Sequence, residues 1–264
     1  MNHILVIDAG NARLKWATAN RYGWSVSGSI SNSNVGVLAL THWQSIEPPS
    51  RVIGVNVAGK AMQHKLEMQM VRWRVRAEWL APQAKAAGVK NSYADPSRLG
   101  ADRWAALAAA RRRQRRTTDV NAGVAPMPCL VVGLGTAATI DALAADGTFL
   151  GGLILPGFAL MRNSLATNTA GLPLKIAKGV YADFPTSTED AISSGTVQAI
   201  RGAIAEMRVL LAAHHGIDAS GVMLLVAGGD AAVFLPHLTE PLTLVDNLVL
   251  EGVLALAAPE YLPE

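Results

Sequence analysis

Hydrophobic and polar positions follow one plan at the start of the chain. The apolar run Ile4 to Ile7 predicts a buried strand, and a polar turn, Asp8-Ala9-Gly10-Asn11, ends it. Apolar-rich segments at 12–19 and 24–30 then predict two further strands, with Gly23 between them. The N-terminal segment is therefore predicted to form a three-stranded meander.

The same plan returns between Cys129 and Gly157. Its turn is Gly133-Leu134-Gly135-Thr136, and its Asp146-Gly147 pair is typical of a hairpin. Strands are predicted at 130–132, 137–143 and 148–155. Glycine-rich turns with a hydroxyl group can bring backbone N–H groups close to a phosphate, although many ordinary β-turns share this composition.

An offset of 125 residues carries Asp8 to Gly133 and Asn11 to Thr136. Two strand-turn-strand units at one offset predict two related domains, over 1–120 and 121–264. This plan resembles the duplicated ribonuclease-H-like fold of the acetate kinase, sugar kinase, Hsp70 and actin superfamily. The resemblance implies an α/β protein that binds a nucleotide in a cleft between two halves.

Helical and strand-like segments alternate along the rest of the chain, as that fold requires. Strands are predicted at 51–57, 75–80, 222–227 and 242–245. Helices are predicted at 35–46, 60–72, 82–87, 104–113, 158–165, 188–214, 231–238 and 247–258. Residues 117–128 are expected to be the boundary between the halves, and residues 166–185 to be irregular.

Composition places the chain among intracellular globular proteins. Half of its 264 residues are hydrophobic, which is enough for each half to bury a core. The single cysteine, Cys129, excludes a disulfide framework and fits a small core residue in a reducing compartment. No apolar run is long enough for a bilayer span, so we expect a cytoplasmic protein without a membrane partner.

The net charge of +3 comes partly from one basic cluster, Arg111 to Arg116. Cations favour the C-terminal end of a helix, and this is the preferred interpretation of the cluster. A surface for nucleic acid or an acidic partner is the alternative. No aromatic residues are interleaved with the arginines, so no nucleic-acid partner is expected.

Two further features concern chemistry. Gly100-Ala101-Asp102-Arg103 opens an alanine-rich helix, where an aspartate in the first turn is favoured by the helix dipole. That explanation leaves the flanking glycine and arginine unexplained. None of the six histidines lies at a metal-ligand spacing, so a zinc or hydrolytic metal site is not expected.

Taken together, three motifs resemble the type III pantothenate kinases over essentially the whole chain. They are Asp8-Ala9-Gly10-Asn11 with Lys15, Gly100-Ala101-Asp102-Arg103, and Gly133-Leu134-Gly135-Thr136-Ala137 followed by Gly151-Gly152 and Pro156-Gly157. The resemblance implies transfer of the γ-phosphoryl group of ATP to pantothenate, the first step of coenzyme A synthesis. It also implies a homodimer with the substrate site near the subunit contact.

Residue roles follow from the same resemblance. Asp102 matches the proposed general base. The residues that match the ATP site are Asp8, Ala9, Gly10, Asn11, Ala12, Arg13, Leu14, Lys15 and Thr136, with Asp8 placed to organise Mg²⁺. The residues that match the pantothenate site are Tyr93, Gly100, Ala101, Asp102, Arg103 and Thr188.

The clearest departure from the family pattern is Gly133, where the family usually has an aspartate that helps to hold a monovalent cation (K⁺ or NH₄⁺). We therefore expect a kinase that binds potassium weakly or not at all. Two alternatives stay open: a kinase for another hydroxylated substrate, and a nucleotide-binding regulator of transcription with weak or no turnover.

Overall fold

The computed structural model describes residues 3–117, 125–168 and 179–262, and it divides the chain into two units. The first unit comprises Met1–Thr117, Gly147–Phe149 and Asn247–Glu264, and the second comprises Thr118–Asp146 and Leu150–Asp246. The last helix of the chain thus groups with the N-terminal residues in the first unit.

The sheet of the first unit is built on the predicted meander. Its strands are β1 (Ile4–Ala9), β2 (Arg13–Asn20), β3 (Gly23–Ser31), β4 (Arg51–Asn56) and β5 (Ala77–Trp79), in the order β3-β2-β1-β4-β5. The first three strands are antiparallel to one another, while β4 runs parallel to both β1 and β5. The central strand β1 is covered on both faces, since Leu5 and Ile7 enter one apolar cluster and Ile4 and Val6 enter another.

Helices cover the two faces of this sheet. Helix α1 (Lys60–Met70) buries Met62, Leu66 and Met70 at helical spacing, and these residues join the cluster of Leu5 and Ile7. A hairpin of β6 (Lys85–Ala86) and β7 (Val89–Asn91) follows β5, and helix α2 (Ala101–Arg116) comes next. These three side chains of α1 therefore belong to the core of the first unit.

The second unit repeats the plan of the first. Its elements are β8 (Cys129–Leu134), β9 (Ala137–Leu143), β10 (Thr148–Pro156), α3 (Phe158–Asn168), α4 (Thr188–His215), β11 (Met223–Ala227), α5 (Ala231–Phe234) and β12 (Thr243–Leu244). The order β12-β11-β8-β9-β10 is that of the first sheet with each strand replaced by its repeat. Again β8 and β9 are antiparallel while β11 runs parallel to β8. The predicted fold class, a duplicated ribonuclease-H-like α/β protein, is confirmed.

The closing helix α6 (Leu248–Ala257) packs closely on α2 within the first unit. A Cβ atom added to Gly252 would lie 1.7 Å from the carbonyl oxygen of Ala105, so the two backbones touch at this glycine. The alanine-rich composition of α2 leaves room for this approach. Among the helices in the described ranges, none has the length and apolar content that a bilayer crossing needs.

Two predicted helices are wrong. Residues 82–87 form part of the β6–β7 hairpin, because Ala87 and Gly88 take φ values of +47° and +78°, which reverse the chain and end any helix. Residues 35–46 form a 3₁₀ helix, Asn32–Leu40, followed by turns. Half of the irregular segment predicted at 166–185, and much of the predicted boundary at 117–128, lie outside the described residues, while residues 166–168 end helix α3.

The sequence of Arg111 to Arg116 is interpreted above as a set of cations at the C-terminal end of a helix. In the structure this interpretation holds for only some of these arginines. Arg111 is buried and donates a hydrogen bond to Gln114 Oε1 (3.0 Å). Arg113 forms a bidentate ion pair with Glu251 of α6, with an Nη2–Oε2 distance of 2.8 Å. Only Arg115 and Arg116 are exposed at the C-terminal end of α2. The arginines therefore help to attach α2 within its unit.

Candidate active site

Two charged residues, one on β1 and one on β2, lie opposite each other beside the turn that joins these strands. Asp8 and Lys15 are partners across the antiparallel ladder, so their side chains emerge on the same face of the sheet. The backbone N–H of Gly10 donates to the carbonyl oxygen of Arg13 (3.1 Å), which closes the turn tightly. The lysine ammonium lowers the pKa of the Asp8 carboxyl, although other effects outweigh it.

Asn32, the first residue after β3, orients this turn, a role that the sequence does not predict. Its Nδ2 donates to the carbonyl oxygens of Gly10 (2.9 Å) and Asn11 (2.8 Å), and its backbone N–H donates to that of Ala12 (3.1 Å). Three successive carbonyls are thus held on one side. The N–H groups of Asn11 and Ala12 have no acceptor within the described ranges, which suits a turn that receives an anion.

No pattern in the sequence indicates the role of Asn32. It belongs to a short polar segment that predicts a turn and nothing more. A bond between its side chain and a backbone 21 or 22 residues away depends on strand pairing that composition does not reveal.

Asp102 lies in the first turn of α2, close enough to Asp8 for their charges to interact. The pKa of Asp8 is raised to about 7, first because burial disfavours its charge and second because of the negative charge of Asp102. The structure therefore brings two predicted site residues close together, and the Asp8 carboxyl is poorly solvated there. Paired carboxylates of this kind are typical of sites that bind a cation or move a proton.

The glycine before Asp102 has a steric reason. Gly100 is the N-cap of α2, and a Cβ atom added to it would lie 2.6 Å from Asp102 Oδ1. The same Oδ1 accepts a hydrogen bond from the backbone N–H of Arg103 (2.8 Å). Asp102 Oδ2 accepts no hydrogen bond from any described residue, so one oxygen of this carboxylate is available to a ligand.

The arginine after Asp102 turns toward a tyrosine. Arg103 is buried, with 6% of its surface exposed, and its Nη1 donates to Tyr93 Oη (3.1 Å). The backbone N–H of Tyr93 in turn donates to Asn91 Oδ1 (3.1 Å) at the end of β7. The first unit thus assembles Tyr93 with the segment Gly100 to Arg103.

The second turn, between β8 and β9, is stabilised differently. Gly157 N donates to the carbonyl of Thr136 (3.0 Å), and a Cβ atom at Gly157 would lie 1.9 Å from the carbonyl oxygen of Gly135. From the other side Gly228, with a φ of +115°, lies against the backbone of Leu134. The side chain of Thr136 is exposed at this turn.

Thr188 also belongs to the second unit and is the first residue of α4. The cap of this helix is Ser187, whose hydroxyl oxygen accepts a hydrogen bond from Asp190 N (3.2 Å). Thr188 is exposed, and its hydroxyl makes no hydrogen bond to the rest of the described chain. It is therefore free to contact a ligand.

Gly133 is in β8, opposite Thr139 of β9, at the position that Asp8 holds in the first unit. Its φ is not positive, but a Cβ atom there would lie 2.7 Å from Thr139 Oγ1. The threonine hydroxyl thus takes the space that a side chain at Gly133 would need.

Comparison with known proteins gives consistent matches. A family model described as type III pantothenate kinase matches residues 4–209. A protein of that name from Methylibium petroleiphilum is 42% identical over 97% of this chain and 98% of its own, and one from Paracidovorax citrulli is 40% identical over 97% and 98%. A crystal structure from Campylobacter jejuni, described as a conserved Baf family transcriptional activator, has a TM-score of 0.55 at 17% identity. It covers 95% of this chain and 96% of its own, and shows likeness of fold alone.

The raised pKa of Asp8 predicts a pH-dependent stability. Between its ordinary value of 3.8 and about 7, the folded protein keeps a proton that the unfolded chain has released, so the free energy of unfolding falls as pH rises through this range. Asp8→Asn removes this penalty. In metal-free buffer it should raise the free energy of unfolding on the order of 4 kcal/mol at pH 8, and by less at pH 5. Urea titrations at the two pH values measure the difference.

Asp218→Asn is the matched control. The pKa of Asp218 is lowered, because its carboxylate accepts hydrogen bonds from the hydroxyl and N–H of Ser220. Its stabilising effect is present above 3.8, so Asp218→Asn should lower stability at both pH 8 and pH 5. An Asp8→Asn protein that is less stable than the wild type at pH 8 would contradict the description of the carboxylate pair.

Proposed function

This chain belongs to the type III pantothenate kinase family, and we propose that it transfers the γ-phosphoryl group of ATP to pantothenate. The product is 4′-phosphopantothenate, and the reaction is the first step of coenzyme A synthesis. One observation carries the proposal beyond family membership: the proposed base Asp102 lies so close to the first phosphate turn that its charge raises the pKa of Asp8. Acceptor and donor sites of a kinase must adjoin in this way.

The first turn is proposed to bind phosphate through its backbone N–H groups and through the side chains of Asn11 and Lys15. Ala9 and Leu14 are buried in the core, so they contribute only main-chain groups. The N–H groups of Asn11 and Ala12 are available for phosphate oxygens, and Lys15 supplies a positive charge. Arg13 is exposed and bonded to Ser29, at the edge of the turn. Thr136 is the proposed ATP contact of the second unit.

Asp102 is proposed to act as the general base. Its Oδ2 would accept the proton of the primary hydroxyl of pantothenate as that oxygen bonds to the γ-phosphorus and the bond to the leaving ADP oxygen breaks. Its Oδ1 meanwhile stays bonded to the N–H of Arg103, which fixes the orientation of the carboxylate. Phosphoryl transfer needs mainly positioning and charge neutralisation, so one carboxylate is sufficient for the proton.

The pantothenate site is proposed to consist of Tyr93, the segment Gly100 to Arg103, and Thr188. Pantothenate is an anion, and the Arg103 guanidinium offers it a charged donor beside the Tyr93 hydroxyl. The exposed hydroxyl of Thr188 is a further proposed contact. The alcohol and amide groups of pantothenate would form hydrogen bonds with donors and acceptors of these same residues.

The residues present fit Mg²⁺ that is shared with nucleotide. No cluster of three or more histidine, cysteine, aspartate or glutamate side chains that would cage an ion occurs in the described ranges. Mg²⁺ in kinases is usually held by one or two carboxylates together with substrate phosphates. Asp8 would hold the ion, which would neutralise phosphate charge and relieve the repulsion between Asp8 and Asp102.

We also propose a homodimer and a cytoplasmic location. The family resemblance implies the dimer, and the second unit has an exposed apolar surface on β10, where Leu150, Leu153 and Ile154 are 38%, 39% and 63% exposed. An ATP-dependent biosynthetic enzyme is expected in the cytoplasm. The alternative of a transcription regulator is not favoured, because the relatives matched over nearly the full length are kinases by name.

Release of ADP coupled to NADH oxidation tests the proposed function. We expect the purified protein with ATP and Mg²⁺ to release ADP only when pantothenate is added. Pantetheine and unrelated polyols serve as acceptor controls, because a kinase for another hydroxylated substrate would respond to them instead. Nucleotide binding without turnover on any acceptor would contradict the proposal and favour the regulator.

Loss of the proposed base should lower turnover without loss of binding. Asp102→Asn is expected to reduce kcat by roughly two to four orders of magnitude while ADP binding by calorimetry is retained. Asp95→Asn is the control, because Asp95 is exposed and, within the described ranges, its carboxylate accepts hydrogen bonds from Ser97 alone, in the short helix before α2. Turnover near that of the wild type in Asp102→Asn would remove Asp102 from the mechanism.

The missing carboxylate at Gly133 predicts an enzyme with little response to potassium. Activity should vary little when potassium replaces sodium at constant ionic strength. Gly133→Asp should introduce a potassium response, most clearly together with Thr139→Ala, which removes the hydroxyl 2.7 Å from the new Cβ. Thr139→Ala alone is the control. A strong potassium requirement in the unmodified protein would show that other oxygens complete a cation site.

A further inference from the structure

Phe149 lies beneath the two side chains proposed to recognise pantothenate. Its side chain is fully buried, with 0% of its surface exposed. The rings of Tyr93 and Phe149 are 5.6 Å apart between centroids and tilted by 32°, and Arg103 Cζ lies 5.9 Å from the Phe149 centroid. Because Arg103 also donates to Tyr93 Oη (3.1 Å), the three side chains form a closed triangle.

The backbone fixes the position of Phe149. The Asp146-Gly147 turn places it at the start of β10, where Gly147 has a φ of +91° and accepts a hydrogen bond from Lys90 N (2.9 Å). Phe149 is then in register with Asn91 of β7, the same residue whose Oδ1 accepts the N–H of Tyr93. The short pairing of β7 with β10 therefore fixes the positions of both aromatic rings.

A ring in this place has two physical effects on its neighbours. Its face attracts the guanidinium group, and this attraction adds to the hydrogen bond that Arg103 donates to Tyr93 Oη. Its volume also restricts the rotamers of Arg103 and Tyr93, so that less side-chain entropy is lost when a ligand binds. An aliphatic side chain would provide volume without the attraction.

We propose that Phe149 is a positioning residue for pantothenate recognition, acting through Arg103 and Tyr93. This inference rests on the proposed function and extends it to a buried residue that has no place in the proposed sites. It further implies that the start of β10, which positions Phe149, contributes to the affinity for the acceptor substrate. ATP binding is independent of it, since none of the three side chains belongs to the phosphate turns.

Steady-state kinetics of Phe149→Leu provide the test. We expect KM for pantothenate to rise about ten-fold, with KM for ATP unchanged and kcat changed much less, because the lost attraction acts on substrate binding. Phe149→Tyr keeps the ring and should stay closer to the wild type. Phe149→Met, which conserves volume better, replaces the leucine variant if that variant does not fold.

Phe234→Leu is the matched control, because Phe234 is also fully buried and belongs to the core of the second unit. It should lose stability but keep KM for pantothenate. An unchanged KM in Phe149→Leu, or an equal rise in Phe234→Leu, would overturn the inference while the proposed function stands. Absence of pantothenate-dependent turnover in the wild type would overturn both.

Discussion

The burial of the Asp8 carboxyl beside a second acid, Asp102, is the constraint on which the candidate site depends. Neither position is needed to complete the sheet or the helix, because β1 is stabilised by its apolar neighbours and α2 by its packing on α6. Burial, and after it the charge of Asp102, disfavours the ionised form of Asp8 and raises its pKa. A buried acid whose charge is disfavoured in this way is typical of a functional site, which fits the roles that we propose for the two acids.

The surrounding structure serves to keep that pair in place. Asn32 holds three carbonyls of the first turn on one side, and Gly100 leaves space for the Asp102 carboxylate. Arg103 follows Asp102 in the same helix turn and donates a hydrogen bond to Tyr93. The residues proposed for the phosphate donor and for the acceptor therefore lie at the end of β1 and the start of α2.

Sequence patterns predicted the repeat well because strand alternation and glycine-rich turns are local signals. Even the bounds of β9 agree with the prediction. The hairpin at β6 and β7 was missed because it depends on a positive φ at Ala87, a residue that usually favours helix. Asn32 and Phe149 could not be recognised, since their roles arise from contacts between segments that are 20 or more residues apart. The basic cluster was only partly interpreted, because the partner of Arg113 is on α6.

The duplication explains why the two turns can differ in chemistry while keeping the same sheet order. In the first unit the turn is shaped by an amide side chain and carries an acid. In the second unit the backbones of Gly157 and Gly228 pack against the turn. The position that corresponds to Asp8 is occupied by Gly133, next to the Thr139 hydroxyl. Packing of backbone against backbone preserves the second turn without a side chain at Gly133, so loss of a carboxylate there leaves the strand pairing intact. An acid at one turn and a glycine at the equivalent position of the other are therefore compatible with the same sheet order in both units.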